Sequence, residues 1–361
     1  MNLHVVPDST FSNKFYNNLV ELGLTGNNKV VVRSNEKKLK YIGYRLPVAP
    51  LYSKQFSSII GDTRQYRKVF IHQLSPLMYR WIARHEFQEL NWMVWGTDVY
   101  NLPGQDYSFY EPITETKWGR RDFSLYSWLY KAKVLLTNTY YRNQAYAKID
   151  SVLTWMLSEF QFIQKNMKSF GGDHQFFFYE NEVPYHKLDD LIKSGSKENK
   201  TPLYILGNSG TPTNNHLDAI KIITESGMKA DLAIPVSYGD KGYIRFLKRN
   251  LTNYQQGKIE FIDHYMPFDE YLNFLYQADG LIMNTIRPQG YGNIFMMLYL
   301  GKPVFLNKRN LSLPDLEQNG ISCSILSAEN LKDSQQKSDH KSIIDFLSHE
   351  KLVRVYSTLF S

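Results

Sequence analysis

Apolar and polar positions change rhythm part-way along this chain. From Leu203 onward, short apolar runs recur at even intervals, each followed by a stretch with one apolar face at helical spacing. Leu203-Tyr204-Ile205-Leu206 predicts a strand, then a glycine-containing loop and a helix over Asn214–Glu225. Asp231-Leu232-Ala233-Ile234-Pro235 predicts the next strand and Lys241–Leu251 its helix. Lys258-Ile259-Glu260-Phe261 precedes a helix over Phe268–Ala278. Gly280-Leu281-Ile282-Met283 and Pro303-Val304-Phe305-Leu306 bracket a helix over Ile294–Leu300. Strands alternating with helices of this length predict βαβ crossovers and a parallel sheet. Such sheets bind ligands beyond the carboxyl ends of their strands, so the loops after Leu206, Pro235, Phe261 and Met283 are the places to search.

The first half is denser in Tyr, Trp and Phe. Its strand-like runs include Leu3-His4-Val5-Val6, Val69-Phe70-Ile71 and Trp92-Met93-Val94-Trp95, with a helical pattern over Pro76–Phe87. A polar stretch, Lys193-Ser194-Gly195-Ser196-Lys197-Glu198-Asn199-Lys200, reads as a linker or exposed loop between the halves.

Composition narrows the class. A chain of 361 residues at roughly 150 per domain predicts about two domains. Mean hydropathy is -0.41, and no apolar run approaches the roughly 18 residues of a spanning helix. The first apolar run ends at Pro7 without a basic segment before it, so no signal peptide is expected. Cys323 is the single cysteine, which excludes an internal disulfide and a thiolate metal cluster and fits a reducing, cytoplasmic compartment. Aromatics at 15% and the lack of a repeat exclude collagen-like, coiled-coil and disordered chains. A formal charge of +7 points to an anionic partner: nucleotide, nucleic acid, acidic glycan or lipid headgroup. Solvated surface charge accounts for it equally well.

Two loops carry the candidate chemistry. Gly207-Asn208-Ser209-Gly210-Thr211-Pro212-Thr213-Asn214-Asn215-His216 follows the first strand of the regular half. Gly207 and Gly210 permit close backbone approach, Asn208 and Ser209 supply short polar side chains, and Thr213 or Asn214 is a ready N-cap. An anion there would meet free N–H groups and the positive end of a helix. The loop is neither a Walker A sequence nor a Gly-x-Gly-x-x-Gly turn. Arg287-Pro288-Gln289-Gly290-Tyr291-Gly292-Asn293 follows Met283 and opens another helix, with a cation able to fork onto phosphate oxygens. Each loop alone is a weak signal, and an ordinary strand-to-helix turn is the alternative for the first. Together they point to a nucleotide diphosphate.

Two domains, the second binding a nucleotide diphosphate at helix ends, describe an α/β glycosyltransferase of GT-B type: two Rossmann-like α/β/α domains with a cleft between them. Within that class the chain resembles the 4-acetamido-4,6-dideoxygalactose transferases of enterobacterial common antigen synthesis, glycosyltransferase family 56. The resemblance rests on Trp92-Met93-Val94-Trp95-Gly96-Thr97-Asp98-Val99-Tyr100, the Gly207–His216 loop, Arg287 through Asn307, and Phe70-Ile71-His72 with Pro76. It runs from about His4 to Asn307 and is poor over Gly104–Tyr185. It implies transfer of an amino-dideoxy sugar from a dTDP carrier to a lipid-linked saccharide at the cytoplasmic face of the bacterial inner membrane. The domains expected are 1–185 for acceptor, 186–345 for nucleotide sugar, and a C-terminal helix over 346–361 packing back on the first.

Leaving-group stabilisation is expected from Asn208, Ser209, Arg287, Gly290 and Asn293, with backbone amides and helix dipoles adding to them. Gly207, Gly210, Gln289 and Gly292 join these five in binding the donor's diphosphate and sugar. Many GT-B enzymes carry two glutamates eight apart around the second loop; here those positions are Gln289 and Met297. Asp98 is the first candidate base and His72 the second, each with a structural alternative, an Asx-turn for Asp98 and a buried strand-end histidine for His72. His216 ranks below both. Tyr238 and Tyr265 are the candidates for the nucleoside. No metal is expected, because no Asp-x-Asp pair is present and Arg287 with helix dipoles supplies the same electrostatics. Between Lys117 and Lys148, Arg120, Arg121, Lys131, Lys133 and Arg142 interleave with Trp118, Tyr126, Trp128, Tyr130, Tyr140 and Tyr141. That pattern suits an anionic membrane surface, or an aromatic face packed into the first domain. The alternatives kept open are a UDP-sugar donor for capsule or O-antigen assembly and a non-catalytic nucleotide- or glycan-binding protein. A nucleic-acid partner rests on charge alone and is not expected.

Overall fold

The computed structural model describes every residue except 37, 101–107, 120–140, 168, 181–182, 196–200, 253 and 333–339. The chain divides into two compact units. One comprises Met1–Gln105, Trp128–Asn181 and Leu347–Ser361; the other comprises Asp106–Ser127 and Glu182–Phe346.

The first unit is built on β1 (Asn2–Pro7), β2 (Asn28–Arg33), β3 (Val48–Ala49), β4 (Val69–His72), β5 (Leu90–Met93), β6 (Ser151–Thr154) and β7 (Asp173–Phe176). All pair in parallel, in the order β3-β2-β1-β4-β5-β6-β7. Valines 30 to 32, Leu3, Val5, Phe70 and Ile71 are fully or nearly fully buried, as expected of strands covered on both faces. The helix Thr10–Glu21 begins where Ser9 Oγ accepts the N–H of Ser12 at 3.1 Å, an N-cap bond. The last helix, His349–Phe360, belongs to this unit: Tyr356 and Phe360 lie 5.8 and 5.4 Å, centroid to centroid, from Phe15.

The second unit holds β8 (Leu203–Leu206), β9 (Asp231–Pro235), β10 (Ile259–Ile262), β11 (Gly280–Met283), β12 (Val304–Leu306) and β13 (Ser324–Ile325). They too are all parallel, ordered β10-β9-β8-β11-β12-β13. In both sheets the winding reverses beside the first strand of the unit: between β1 and β4, and between β8 and β11. Those reversals are where doubly wound sheets open a crevice for ligands.

Segment 108–119 packs in the second unit, not in the first domain where the sequence places it. Asp218 accepts the N–H groups of Ile113 (2.8 Å) and Thr114 (2.9 Å), closing the start of the helix Pro112–Lys117. Trp118 stands 5.2 Å from Tyr243 and 5.4 Å from Phe246, within the apolar cluster of that unit. Its indole is therefore partly buried against the core of that unit. Tyr146, from the other end of the basic and aromatic stretch, is buried against Tyr79 in the first unit. Arg120, Arg121, Tyr126, Trp128, Tyr130, Lys131, Lys133 and Tyr140 lie outside the described residues. Among the described residues no helix is long and apolar enough to cross a membrane.

Candidate active site

The strongest concentration of candidate residues lies at the reversal of the second sheet. The loop after β8 turns at Gly207, whose φ of 74° is in the left-handed region. A Cβ there would meet His216 Nε2 at 2.8 Å and Asn214 Oδ1 at 2.9 Å, so both the angle and the space require glycine. Asn214 organises the loop from within. Its Oδ1 accepts the Asn208 N–H at 3.2 Å, and its Nδ2 donates to Ser209 O at 3.0 Å and Thr211 Oγ1 at 3.0 Å. The helix behind begins at His216, and its N-cap is Asn215 at φ 50°, not Thr213 or Asn214. Gly210 serves packing: its Cβ would lie 2.4 Å from Ile244 Cγ1, and its backbone pairs with Gly239 on the loop after β9.

A chain of hydrogen bonds joins this loop to the one after β11. Arg287 Nε donates to Thr213 Oγ1 (3.1 Å), and the Thr213 hydroxyl donates to Gln289 Oε1 (2.9 Å). Gln289 Nε2 donates to Asn208 Oδ1 (2.9 Å), and Asn208 Nδ2 donates to the Tyr238 hydroxyl (3.3 Å). Four residues expected from sequence, Asn208, Tyr238, Arg287 and Gln289, are thus brought into one network. Thr213, read only as a cap, is its hub. Gly290, at φ 72°, caps the helix Tyr291–Tyr299 and lets Asn208 approach: a Cβ would sit 3.2 Å from Asn208 Cγ. Gly292 and Asn293 lie in the first turn of that helix, whose free N–H groups carry its positive end. Ser209 is buried within the loop, tied to Thr211 at 2.9 Å. Met297 is fully buried, so that position contributes to the core. Tyr238 is 60% exposed, whereas Tyr265, 85% exposed, stands outside the network.

Burial holds the His216 imidazole neutral, its pKa drawn down to about 3. Nδ1 meets the Tyr243 hydroxyl at 3.2 Å, while the buried Nε2 has no partner among the described residues. The imidazole is buried directly behind Gly207 and does not face solvent.

The two base candidates lie in the first unit and are both engaged internally. Asp98 is 4% exposed. Oδ2 accepts from Trp92 Nε1 (2.7 Å) and the Leu74 N–H (2.8 Å), and Oδ1 accepts the Trp95 N–H (3.0 Å). Burial raises its pKa against the pull of those three donors. The carboxylate ties the loop after β4 to the loop after β5, a latch rather than a base open to a substrate. His72 is fully buried, with its pKa pushed well below the ordinary value by burial and by neighbouring His4 and Arg33.

The hydrogen bonds around His72 have one consistent direction. Asn28 Nδ2 donates to the carbonyls of Leu24 (2.8 Å) and Phe360 (2.7 Å), which fixes Asn28 Oδ1 as the acceptor facing His4. His4 Nε2, 3.0 Å away, must donate to it. The neutral His4 ring then accepts at Nδ1 from His72 Nε2 (3.2 Å), so His72 Nδ1 accepts from the Tyr179 hydroxyl (3.0 Å). The same hydroxyl accepts Trp95 Nε1–H at 2.5 Å. Both ring nitrogens of His72 are therefore committed. His4, Asn28 and Tyr179 were not candidates in the sequence; the one signal for them was a histidine inside the apolar run Leu3–Val6.

Arg33, at the end of β2, is a further residue the sequence did not single out. Its guanidinium reaches Gln73 O (2.9 Å) and Gln73 Oε1 (3.0 Å), and burial lowers its pKa to about 10 despite the field of Asp98.

With this geometry in place, comparison with known proteins decides the class. The profile described as 4-alpha-L-fucosyltransferase glycosyl transferase group 56 matches residues 124–353. This chain belongs to that family. As a group 56 member it is a glycosyltransferase, and its two parallel sheets have the GT-B fold. Sucrose-phosphate synthase of Thermosynechococcus elongatus superposes with a TM-score of 0.62 at 11% identity, covering 100% of this chain and 98% of that one. HepE of Anabaena, solved with UDP, gives 0.57 at 11% identity over 99% of both chains. A glycosyltransferase from Rickettsia africae gives 0.56 at 13% identity, over 99% of this chain and 97% of that one.

Proposed function

We propose that the network at the reversal of the second sheet seats the diphosphate of a nucleotide-sugar donor, and that the donor is a dTDP-linked amino-dideoxy sugar. The observation that carries this is the continuous chain Arg287–Thr213–Gln289–Asn208–Tyr238, which links two carboxyl-end loops across the β8/β11 reversal. In glycosyl transfer the acceptor hydroxyl oxygen bonds to the anomeric carbon as the bond from that carbon to the diphosphate oxygen breaks. The electron pair stays on the diphosphate, and the hydroxyl proton leaves to the released diphosphate or to water. Arg287 and the N-terminus of the helix Tyr291–Tyr299 supply positive potential where that charge grows. Asn208 and Gln289 orient the phosphates by hydrogen bonds. Tyr238, exposed beside Asn208, offers a ring for the thymine to stack on.

The acceptor in this reading is a lipid-linked saccharide of bacterial surface-polysaccharide assembly, met at the inner face of the cytoplasmic membrane by a protein docked on its anionic surface. A UDP-sugar donor is the second reading, favoured by the HepE structure solved with UDP. Thermal unfolding with dTDP, UDP, GDP and CDP, each with and without magnesium, tests both. Ligand at about 100 times its Kd stabilises by about 2.7 kcal/mol. A shift with dTDP that ignores magnesium and is lost in Arg287→Ala supports the first reading. A shift with UDP alone replaces the donor, and no shift with any nucleotide overturns the assignment.

A further inference from the structure

The hydrogen-bonded chain through His72 ends at Trp95, and nothing in the donor chemistry uses it. Trp92 and Trp95, three residues apart, are handled differently by the fold. Trp92 is fully buried and is spent on the core. Trp95 is only partly buried, although its backbone N–H is held by Asp98 and its indole N–H by Tyr179. Behind Tyr179 stand two neutral histidines and Asn28, all buried. With its polar edge fixed inward, what the indole offers outward is apolar ring. Phe11, in the first turn of the helix Thr10–Glu21, lies beside it at 5.2 Å and is 38% exposed. Both rings sit at the carboxyl end of the first sheet, Phe11 after β1 and Trp95 after β5. Next to them, Gln73 Nε2 donates to the exposed Thr97 hydroxyl at 3.2 Å, leaving polar groups at the rim.

We propose that Phe11 and Trp95, their ring planes tilted by 53°, form an angled saccharide platform on which a pyranose of the acceptor stacks by its C–H face against one ring and abuts the other, with Thr97 and Gln73 meeting its hydroxyls. A pyranose matches such a surface because one face carries axial C–H groups and the rim carries hydroxyls. Oriented aromatic contacts of this kind are individually modest, and a rigid pre-set ring loses little entropy on binding. Tyr179, backed by His72 and His4, is then a positioning residue that holds the indole, and Asp98 one that holds the Trp95 backbone. The proposal rests on the transferase reading for the identity of its ligand, but its residues are separate from the donor network.

The test is saturation-transfer NMR on the full chain, with methyl N-acetyl-β-glucosaminide and di-N-acetylchitobiose as probes and irradiation of the aromatic protons. Saturation is expected on the axial H1, H3 and H5 of a probe ring. Phe11→Ala and Trp95→Ala should weaken binding about fivefold, the ratio that corresponds to about 1 kcal/mol. Trp95→Phe should recover part of it, because a ring remains. Should Trp95→Ala fail to fold, Phe11→Ala at the exposed site carries the test alone. Unchanged saturation in Phe11→Ala, or none in the wild type with either probe, overturns the platform. The dTDP shift reports separately on the donor site. A dTDP response retained in Phe11→Ala while saturation falls supports both readings. Saturation without any nucleotide response leaves the platform standing and removes the donor assignment.

Discussion

At the scale of single residues, the structure turns two expected bases into supports. Three N–H groups converge on Asp98, so Asp98→Asn, which cannot accept all three without presenting its own N–H₂ to one of them, should destabilise the protein by about 1–3 kcal/mol. The urea midpoint measures this. Chemistry lost with the midpoint unmoved would return Asp98 to the role of base. Gly239 is a second sensitive position: at φ 127° a Cβ would fall 2.4 Å from the backbone of Gly210. Gly239→Ala should therefore separate the loops after β8 and β9 and weaken the thermal shift that the proposed donor site gives with its nucleotide.

Histidine burial sets a pH dependence. His4 and His216 have folded-state pKa values near 3, and that of His72 is also lowered well below the ordinary value, all through desolvation. Unfolding releases them to an ordinary value of about 6.5, so below that pH the unfolded chain binds protons that the folded chain refuses. Stability is complete above about pH 6.5 and is lost as the pH falls toward 3. Each such histidine costs about 1.4 kcal/mol per pH unit inside the window. Denaturant midpoints measured at pH 7, 6 and 5 should fall accordingly, and a flat profile would contradict the neutral burial described.

At the scale of elements, the regular half was legible because its strands are short, apolar and evenly spaced. The observed strands Leu203–Leu206, Asp231–Pro235 and Gly280–Met283 coincide with the apolar runs. Helix starts were harder. The helix expected from Asn214 begins at His216, because the Asn214 amide is consumed by the Gly207 loop and Asn215 adopts a left-handed backbone instead. The loops carrying Asn208 and Arg287 were legible as candidates, yet Thr213 as their hub was not: linear order says nothing about contacts with a residue seventy-four positions away. The pairing of His4 with His72 was hidden for the same reason. The final helix belongs at this scale too. Tyr356 is fully buried and its hydroxyl donates to Tyr179 O at 3.1 Å, so Tyr356→Ala should cost the first unit about 3–5 kcal/mol. Calorimetry should show a transition of the first unit moving to lower temperature while that of the second unit stays in place.

At the scale of the whole molecule, the two sheets repeat one winding order, and each places polar loops at its reversal. The sequence announced this for the second unit through its strand–helix alternation. It was less clear for the first, whose density of aromatic residues blurs strand and helix periods alike. Boundaries were the least legible feature. Segment 108–119 departs from its sequence neighbours because Asp218 and the Tyr243–Phe246 surface hold it in the second unit. Family membership makes the chain a glycosyltransferase, and the proposed donor network and the proposed aromatic platform lie in different units, so each is tested separately.

The discontinuous make-up of the first unit bears on its birth at the ribosome. Its opening strands leave the exit tunnel early, but the helix that covers Phe15 and supplies the Phe360 carbonyl to Asn28 is translated after the entire second unit. At roughly 5–20 residues per second, that interval is on the order of ten seconds or more. Throughout it, Phe15, Phe70 and Phe177 have no partner helix to close over them. The second unit can finish folding first, although it is made later. A nascent chain arrested before residue 347 should therefore recruit chaperones through its earliest segment, and release of the last helix should end that recruitment.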